Sequence, residues 1–212
     1  MKQNTIKKII LLNLFILFLS VMYSQNAGYM GKHLFLKYNN YTNLYFAKSD
    51  KGTVDYPFPM RHHLGMECII HPNMVLGGFY TMGKTNFRTN EDIGIIDTQG
   101  GEIALKFFPN TYAPIGYYSR IGFEFSTSEW SIAPYYSENK LKGDFSNYVA
   151  SLEFGKSGIF FNRFTYTLGA QYGLRMNFTY LSKEKPKLAN PRTRMFYHHL
   201  WSMHFGIGVL LF

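Results

Sequence analysis

Residues 164–180 alternate between apolar and polar side chains without interruption. Apolar residues hold every even position, and Thr, Gly, Gln, Arg and Asn hold the odd ones. Because successive side chains of a β-strand point to opposite faces, this pattern predicts one strand from Phe164 to Tyr180. Its seventeen residues make it about three times as long as the usual strand of a soluble protein. A strand this long and two-faced is typical of a membrane-spanning barrel, in which the apolar face meets lipid.

The composition favours an all-β chain. Hydrophobic residues make up 46% and aromatic residues 18% of the 212 residues, while charged residues make up only 17%. Soluble domains average about 25% charged residues. No apolar stretch approaches the roughly 20 residues that a membrane-spanning helix needs, so the chain is not expected to cross a bilayer by helices.

Seven further segments show strand-like patterns, although the alternation of the third is weak. With the segment above, the predicted strands are 32–41, 61–70, 74–85, 98–108, 117–127, 146–155, 164–180 and 194–212. The connections alternate between short turns (71–73, 109–116 and 156–162) and longer polar stretches (42–60, 86–97, 128–145 and 181–193). The predicted fold is an eight-stranded antiparallel up-and-down transmembrane β-barrel with short periplasmic turns and longer extracellular loops.

The amino terminus has the pattern of a secretory signal. Lys2, Lys7 and Lys8 precede an apolar run from Ile9 to Leu19, and cleavage is expected before Gln25. We therefore expect a signal peptide over residues 1–24 and one barrel domain over 25–212. Loss of three lysines lowers the formal charge from +9 to +6. The one cysteine, Cys68, is expected to act as a small apolar side chain.

Alternation alone does not say which face points inward, since a soluble lipocalin-like carrier has its apolar side chains inside. Two features favour a polar interior. The polar positions are rich in glycine, which makes room inside a narrow barrel: Gly65, Gly100, Gly122, Gly155, Gly169, Gly173, Gly206 and Gly208. They also carry only one or two charges per strand, of balanced sign: Lys37, Glu67, Glu102, Lys106, Arg120, Glu124, Glu153 and Arg175. We expect these charges to pair as a buried network in the lumen, with a charged pore as the alternative.

The chain resembles the small eight-stranded outer-membrane barrels of the OmpA and OmpX type. The resemblance covers residues 32–212 and consists of strand count, unequal connections, an aromatic-rich outer face and a terminal Phe212. Tyr-Ser-Gln at 23–25 and Gly-Tyr-Met-Gly-Lys at 28–32 are similar to segments of Bacteroidota envelope proteins. One difference is that Phe212 falls on the polar parity, with Gly206 and Gly208. The resemblance implies residence in the outer membrane of a Gram-negative cell.

Three groups of residues suggest chemistry. His63, His198 and His204 share the lumen parity near the mouth and are candidate metal ligands, against the simpler role of polar lumen residues. Ser202 and His204, with Glu153 as the orienting group, could serve a lipid A-modifying barrel enzyme, although no sequence signature of such enzymes is present. The segment after strand seven is basic and could meet lipopolysaccharide phosphates or an anionic partner: Lys183, Lys185, Lys187, Arg192 and Arg194.

The sequence therefore predicts an envelope protein with a structural or interaction role, which includes accessories of larger envelope assemblies. Its expected partners are outer-membrane lipid, lipopolysaccharide and a protein of the envelope. No cofactor, catalytic residue or nucleic-acid partner is expected. A lipid A-modifying enzyme and a secreted lipocalin-like carrier are the alternatives.

Overall fold

The computed structural model describes residues 31–43, 60–88, 92–134, 141–180 and 199–211. These residues form eight strands: β1 Leu34–Asn43, β2 Met60–His71, β3 Met74–Arg88, β4 Asp92–Phe107, β5 Gly116–Pro134, β6 Leu141–Phe160, β7 Phe164–Tyr180 and β8 His199–Leu210. Within those ranges there is no helix long and apolar enough to cross a membrane.

The sheet closes on itself. Each strand pairs antiparallel with its neighbours in sequence, and β1 also pairs with β8, where Phe35 lies opposite Leu210 and Asn43 lies opposite Ser202. The predicted fold, an eight-stranded antiparallel barrel, is confirmed. Closure leaves no open edge along the paired part of the sheet, which a barrel needs if hydrocarbon surrounds it.

The barrel has two different ends. At the end that we call the short-turn end, β2 joins β3 through residues 72–73, β4 joins β5 through 108–115 and β6 joins β7 through 161–163. The opposite end, called the loop end, carries the connections 44–59, 89–91, 135–140 and 181–198, which lie outside the described residues. The signal segment 1–24 and Phe212 also lie outside them.

Strand β7 has the predicted bounds, but β3 to β6 are longer than predicted. They extend at the loop end to Arg88, Asp92, Pro134 and Leu141, and β6 also continues to Phe160 at the short-turn end. The predicted connections 86–97, 128–145 and 156–162 are therefore too long. Near the loop end, polar residues such as Asp97 and Glu129 occupy outward positions. They interrupt the alternation of apolar and polar side chains that reveals a strand, while backbone pairing continues.

The apolar face of the strands points outward. In β7 the outward Leu168 and Leu174 are 52% and 40% exposed, whereas the inward Thr165 and Thr167 are fully buried. The same arrangement holds around the barrel, with Ile103, Phe123 and other large apolar residues on the outside. This is the reverse of a soluble barrel, whose apolar side chains point inward. An apolar exterior of this kind is typical of barrels that span membranes.

An apolar cluster closes the interior at the short-turn end. We call it the apolar plug, and it consists of Phe35, Ile69, Val75, Phe108, Ala113, Tyr118 and Leu210. Most of these residues occupy the inward parity, so apolar side chains replace the predicted polar ones at this end of the interior. The turn 108–115 contributes two of the members and is tied across the barrel end by hydrogen bonds from Ala113 N to Pro72 O and from Phe108 N to Asn73 O. Apolar residues such as Leu210 lie at the ends of the inward rows because they pack in this cluster.

Candidate functional site

The charges predicted for the lumen lie inside the barrel above the apolar plug. Nearest the plug, Glu67 of β2 accepts from two lysines of different strands. Its carboxylate oxygens lie 3.1 Å from Nζ of Lys37 and 2.8 Å from Nζ of Lys106. All three side chains are almost fully buried. The Lys106 ammonium also lies 4.6 Å from the centre of the Tyr118 ring, so the charged layer rests directly on the apolar one.

Arg120 of β5 lies at the centre of the network. Its Nη2 lies 2.8 Å from the carboxylate of Glu102 on β4, and its Nη1 lies 3.3 Å from that of Glu153 on β6. Glu153 also accepts hydrogen bonds from the hydroxyls of Tyr41 at 2.9 Å and Tyr118 at 2.6 Å. Removing a charge from water costs several kcal/mol, and the four contacts of the Glu153 carboxylate, from Tyr41, Tyr118, Arg120 and His204, offset this cost.

Closer to the loop end, Glu124 pairs with Arg61, whose Nη1 lies 2.8 Å from the Glu124 carboxylate. Nη2 of Arg61 also donates to Gln171 Oε1 at 3.3 Å. Arg61 is not among the predicted lumen charges, although it falls on the inward parity of β2 with His63 and Glu67. Continuing that parity by one more step toward the strand end would have found it.

Arg175, the eighth predicted member, lies on the inward parity of β7, opposite Val149 of β6, and is half-buried. It lies nearer the loop end than the Arg120 group. All eight predicted charges thus lie on the inner surface of the barrel, and their ion pairs include Arg61 as the partner of Glu124.

The register places like charges side by side. Glu102 lies directly opposite Glu124 on the adjacent strand, and Lys106 lies directly opposite Arg120. Such neighbours repel each other. Each like-charge neighbour also contacts an opposite charge: Glu102 contacts Arg120 within the β4–β5 pair, whereas Glu124 of β5 contacts Arg61 of β2. The network therefore combines pairs between consecutive strands with pairs that only the closed barrel brings together, such as Lys106 of β4 with Glu67 of β2.

Two of the three candidate metal ligands line the lumen, but an aromatic ring separates them. The Tyr41 ring lies between His63 and His204, with ring centroids 4.4 Å and 4.9 Å away. Nδ1 of His63 lies 2.8 Å from Glu102, and Nδ1 of His204 lies 3.4 Å from Glu153. Among the described residues no three His, Cys, Asp or Glu side chains are placed to hold a metal ion. His198 lies outside the described residues, so a site that includes it stays a prediction.

The candidate catalytic group is only partly assembled. His204 and Glu153 are in contact, as an orienting pair requires. Ser202, however, donates its hydroxyl hydrogen bond to Gln171 Oε1 at 3.1 Å, and Nε2 of His204 lies 3.3 Å from the Thr167 hydroxyl. A serine nucleophile needs its base within hydrogen-bond reach. All of these side chains are also buried in the lumen, away from the surface that an acyl chain could reach.

The predicted basic segment, with Lys183, Lys185, Lys187, Arg192 and Arg194, lies in the connection 181–198, outside the described residues. Cys68 is a free thiol and is buried in β2. It lies on the outward row, as predicted, next to the buried Leu34 with which it pairs across β1 and β2.

No protein-family model matches the chain, and no curated protein matches it in sequence. Comparison of structures finds small barrels of bacterial surfaces. The Neisserial surface protein A is 8% identical, with a TM-score of 0.49, and the match covers 84% of this chain and 97% of that one. The attachment invasion locus protein Ail of Yersinia pestis is 11% identical, with a TM-score of 0.45, 85% of this chain and 97% of that one being covered.

The amino-terminal β-barrel domain of OprF from Pseudomonas aeruginosa is 10% identical, with a TM-score of 0.39, and the match covers 84% of this chain and 97% of that domain. These similarities concern the fold alone. The assignment of this chain as a closed eight-stranded barrel rests on its own strand pairing.

Proposed function

We propose that this protein is an outer-membrane β-barrel with a structural or interaction role in the cell envelope. The observation that carries the proposal is the contrast between the two surfaces of the sheet. Its exterior is covered by exposed apolar side chains, while its interior is filled by paired charges such as Arg120 with Glu102 and Glu153. Hydrocarbon outside and a packed polar core inside account for both surfaces.

The filled interior argues against transport and carriage. Large side chains from several strands meet near the axis, and Tyr41, Lys37, His63 and Glu153 are at most 2% exposed. The apolar plug covers the short-turn end. A lipocalin-like carrier needs an apolar cavity in the barrel, whereas the described interior is charged and occupied. The function of such a barrel then depends on contacts made by its outer surface and by the segments at its ends.

The loop end is proposed to face the outside of the cell and the short-turn end the periplasm, the usual arrangement in barrels of this size. The basic segment after β7 would then be displayed to lipopolysaccharide phosphates or to an anionic envelope partner. Export through the signal peptide predicted over residues 1–24 is part of the same proposal.

Cell fractionation combined with gel migration tests the location. We expect the protein to remain in the outer-membrane fraction and to migrate differently before and after boiling, because a closed barrel resists detergent until it is heated. An inner-membrane protein and a periplasmic protein of the same cells serve as controls. Recovery from the periplasm or the medium, with one gel position, would overturn the proposal in favour of a soluble carrier.

A lipid A-modifying activity is distinguishable by a separate measurement. Because Ser202 bonds to Gln171 rather than to His204, we expect mass spectrometry to give identical lipid A from cells with and without the protein. A lipid A species that disappears with Ser202→Ala, while the protein stays in the membrane, would instead establish an enzyme.

A further inference from the structure

A group of polar side chains interrupts the apolar outer surface where β1 and β2 pair. We call it the outer polar cluster, and it consists of Tyr38, Asn40, Thr42 and His62. The Tyr38 hydroxyl lies 2.7 Å from Nδ1 of His62, and the two rings stack with centroids 5.9 Å apart. Nδ2 of Asn40 lies 3.2 Å from the same ring nitrogen, and the Thr42 hydroxyl donates to Asn40 Oδ1 at 3.4 Å. The four side chains therefore form one connected hydrogen-bonded group on the outward face.

Exposed apolar side chains surround the outer polar cluster. They lie opposite its members on β2, β3 and β8: Met60, Leu64, Met82 and Phe205. Asn40 lies directly opposite Phe205. Phe205 is the middle member of the outward row of β8, which is apolar throughout: Trp201, Met203, Phe205, Ile207 and Val209. The outer polar cluster therefore lies about midway across the apolar surface and not at its edge.

The contacts within the cluster place the ring proton of His62 on the nitrogen that makes none of them. The amide nitrogen of Asn40 can only donate, so Nδ1 of His62 accepts, and a neutral imidazole then carries its proton on Nε2. Within the described part of the chain, the hydrogen bonds of His62 are all made by Nδ1. Asn40 Oδ1 accepts from Thr42 and has room for a second donor. The cluster consequently presents a donor and an acceptor side by side.

Lipid does not supply the partners that this donor and acceptor need. Acyl chains carry no hydrogen-bonding group in the middle of a bilayer, and polar side chains that face them are unfavourable. Lipid head groups lie beyond the hydrocarbon, at its two borders. The group that accepts from His62 must therefore belong to protein at the same depth. A copy of the cluster turned by a two-fold rotation satisfies both needs at once, because each copy offers the acceptor that the other lacks.

We propose that the outer polar cluster is the contact between two copies of this chain in the membrane, with Nε2 of His62 in each copy donating to Oδ1 of Asn40 in the other. The inference rests on the proposed function, because only a barrel inserted in a membrane presents this face to hydrocarbon. A two-fold axis along the membrane normal keeps both copies in one orientation and both clusters at one depth. The exposed Met60, Leu64 and Phe205 supply apolar contact around the hydrogen bonds.

Energy transfer between dye-labelled copies in phospholipid vesicles measures the association. The full-length protein carries the dye on Lys142→Cys with Cys68→Ala, and transfer should rise with the protein-to-lipid ratio and saturate. Asn40→Leu with His62→Leu should raise the ratio needed for half-association about tenfold, the factor that two modest hydrogen bonds inside a membrane supply. The matched control is Ser119→Leu, which also replaces an outward polar side chain, but on β5, and should change nothing. Equal transfer in the double variant and wild type would overturn the proposal.

Disulfide crosslinking keeps the cluster intact and covers the case in which the leucine variants fail to fold. In a Cys68→Ala background, Leu64→Cys places a thiol next to His62 on the outward row of β2. Under mild oxidation in vesicles it should give covalent dimers. Phe123→Cys is the matched control, because it is also outward and exposed but lies on β5, four strands away from β1, and it should give few. Equal yields from the two positions would overturn the proposal.

Two further results would assign the face to another occupant. Wild type that co-purifies with a different barrel protein, or with lipopolysaccharide, which the double leucine variant alone releases, would overturn the assignment to a second copy. Gel migration of the same vesicle samples before and after boiling separates this inference from the proposed function. A barrel that shifts on boiling but stays monomeric at every protein-to-lipid ratio overturns this inference alone, whereas a protein that never enters the vesicles overturns the proposed function.

Discussion

At the scale of single residues, the interior is organised by charge pairs between neighbouring strands, such as Arg120 with Glu153, and by pairs that cross the barrel, such as Arg61 with Glu124. The alternation in the sequence is enough to place Glu67, Glu102 and Arg120 on the inner face. It does not show which of them meet, because a contact such as Tyr41 with Glu153 joins strands that are far apart in the chain. The tyrosine hydroxyls of the network could not be predicted for this reason, since only the register of all eight strands brings them to the carboxylates.

Arg120 provides the sharpest test of the network. Arg120→Met would leave Glu102 and Glu153 buried without their shared cation, and we expect it to cost about 3–5 kcal/mol of unfolding free energy. Equilibrium unfolding by urea in lipid vesicles measures this. Lys142→Met is the matched control, because Lys142 is exposed at the loop end of β6 and its replacement should change stability by no more than about 0.5 kcal/mol. Equal effects of the two variants would show that the interior charges are not coupled.

Two glycines on opposite faces of the sheet show how crowded the inner face is and how open the outer face is. A Cβ on the inward Gly65 would overlap the carbonyl oxygen of Gly78 and lie 2.6 Å from the Cα of Phe79, whereas one on the outward Gly78 would meet nothing within 4 Å. Gly65→Ala should therefore destabilise the barrel by about 1–3 kcal/mol. Gly78→Ala should leave it unchanged or more stable by about 0.5 kcal/mol. Unfolding of both variants in vesicles checks the contrast, and the reverse order would mean that the faces are wrongly assigned.

At the scale of elements, strand existence was predictable and strand length was not. Strand β7 keeps its alternation from end to end, so its bounds agree with the prediction. In strands β4 and β5, polar outward residues such as Gln99, Asp97 and Glu129 interrupt the apolar row, but the strands continue to pair as far as Asp92 and Pro134. The alternation of apolar and polar side chains depends on what surrounds the strand, whereas the length of the strand depends on backbone hydrogen bonds. The alternation and the strand end at the same residue only where the backbone pairing stops at the edge of the apolar surface.

The turn between β6 and β7 contains a conformation that its sequence does not suit. Phe161 and Asn162 have φ values of 50° and 54°, which asparagine tolerates and phenylalanine does not. The Phe161 ring is 86% exposed. Phe161→Asn should consequently stabilise the protein by about 1 kcal/mol in vesicle unfolding experiments. Tyr112→Asn removes an exposed aromatic ring without a positive φ and should not stabilise; a gain in both variants would assign the effect to the lost ring.

At the scale of the whole molecule, the decisive property is that the apolar face points outward and the polar face inward, the reverse of a soluble barrel. The direction of the faces could be predicted because glycines and balanced charges share one parity, and the structure places Gly122 and Gly206 among lumen side chains. The apolar plug could not be predicted by the same rule, since Phe35, Val75 and Leu210 sit on the polar parity. Their role depends on the turn 108–115 folding under the barrel, which alternation does not encode.

Contact of the apolar rows with hydrocarbon is the property on which the proposed location in a membrane depends. Nitroxide labels placed one at a time on residues 166–174 of β7 in lipid vesicles test it most directly, through their collision rates with molecular oxygen and with a water-soluble nickel complex. Oxygen, which concentrates in hydrocarbon, should collide most with labels at Leu168, Ala170 and Leu174 and least with labels at the odd positions between them. The nickel complex should barely reach the labels at Leu168, Ala170 and Leu174. A collision profile without a period of two, or greatest nickel access at Leu168 and Leu174, would mean that these rows do not contact hydrocarbon.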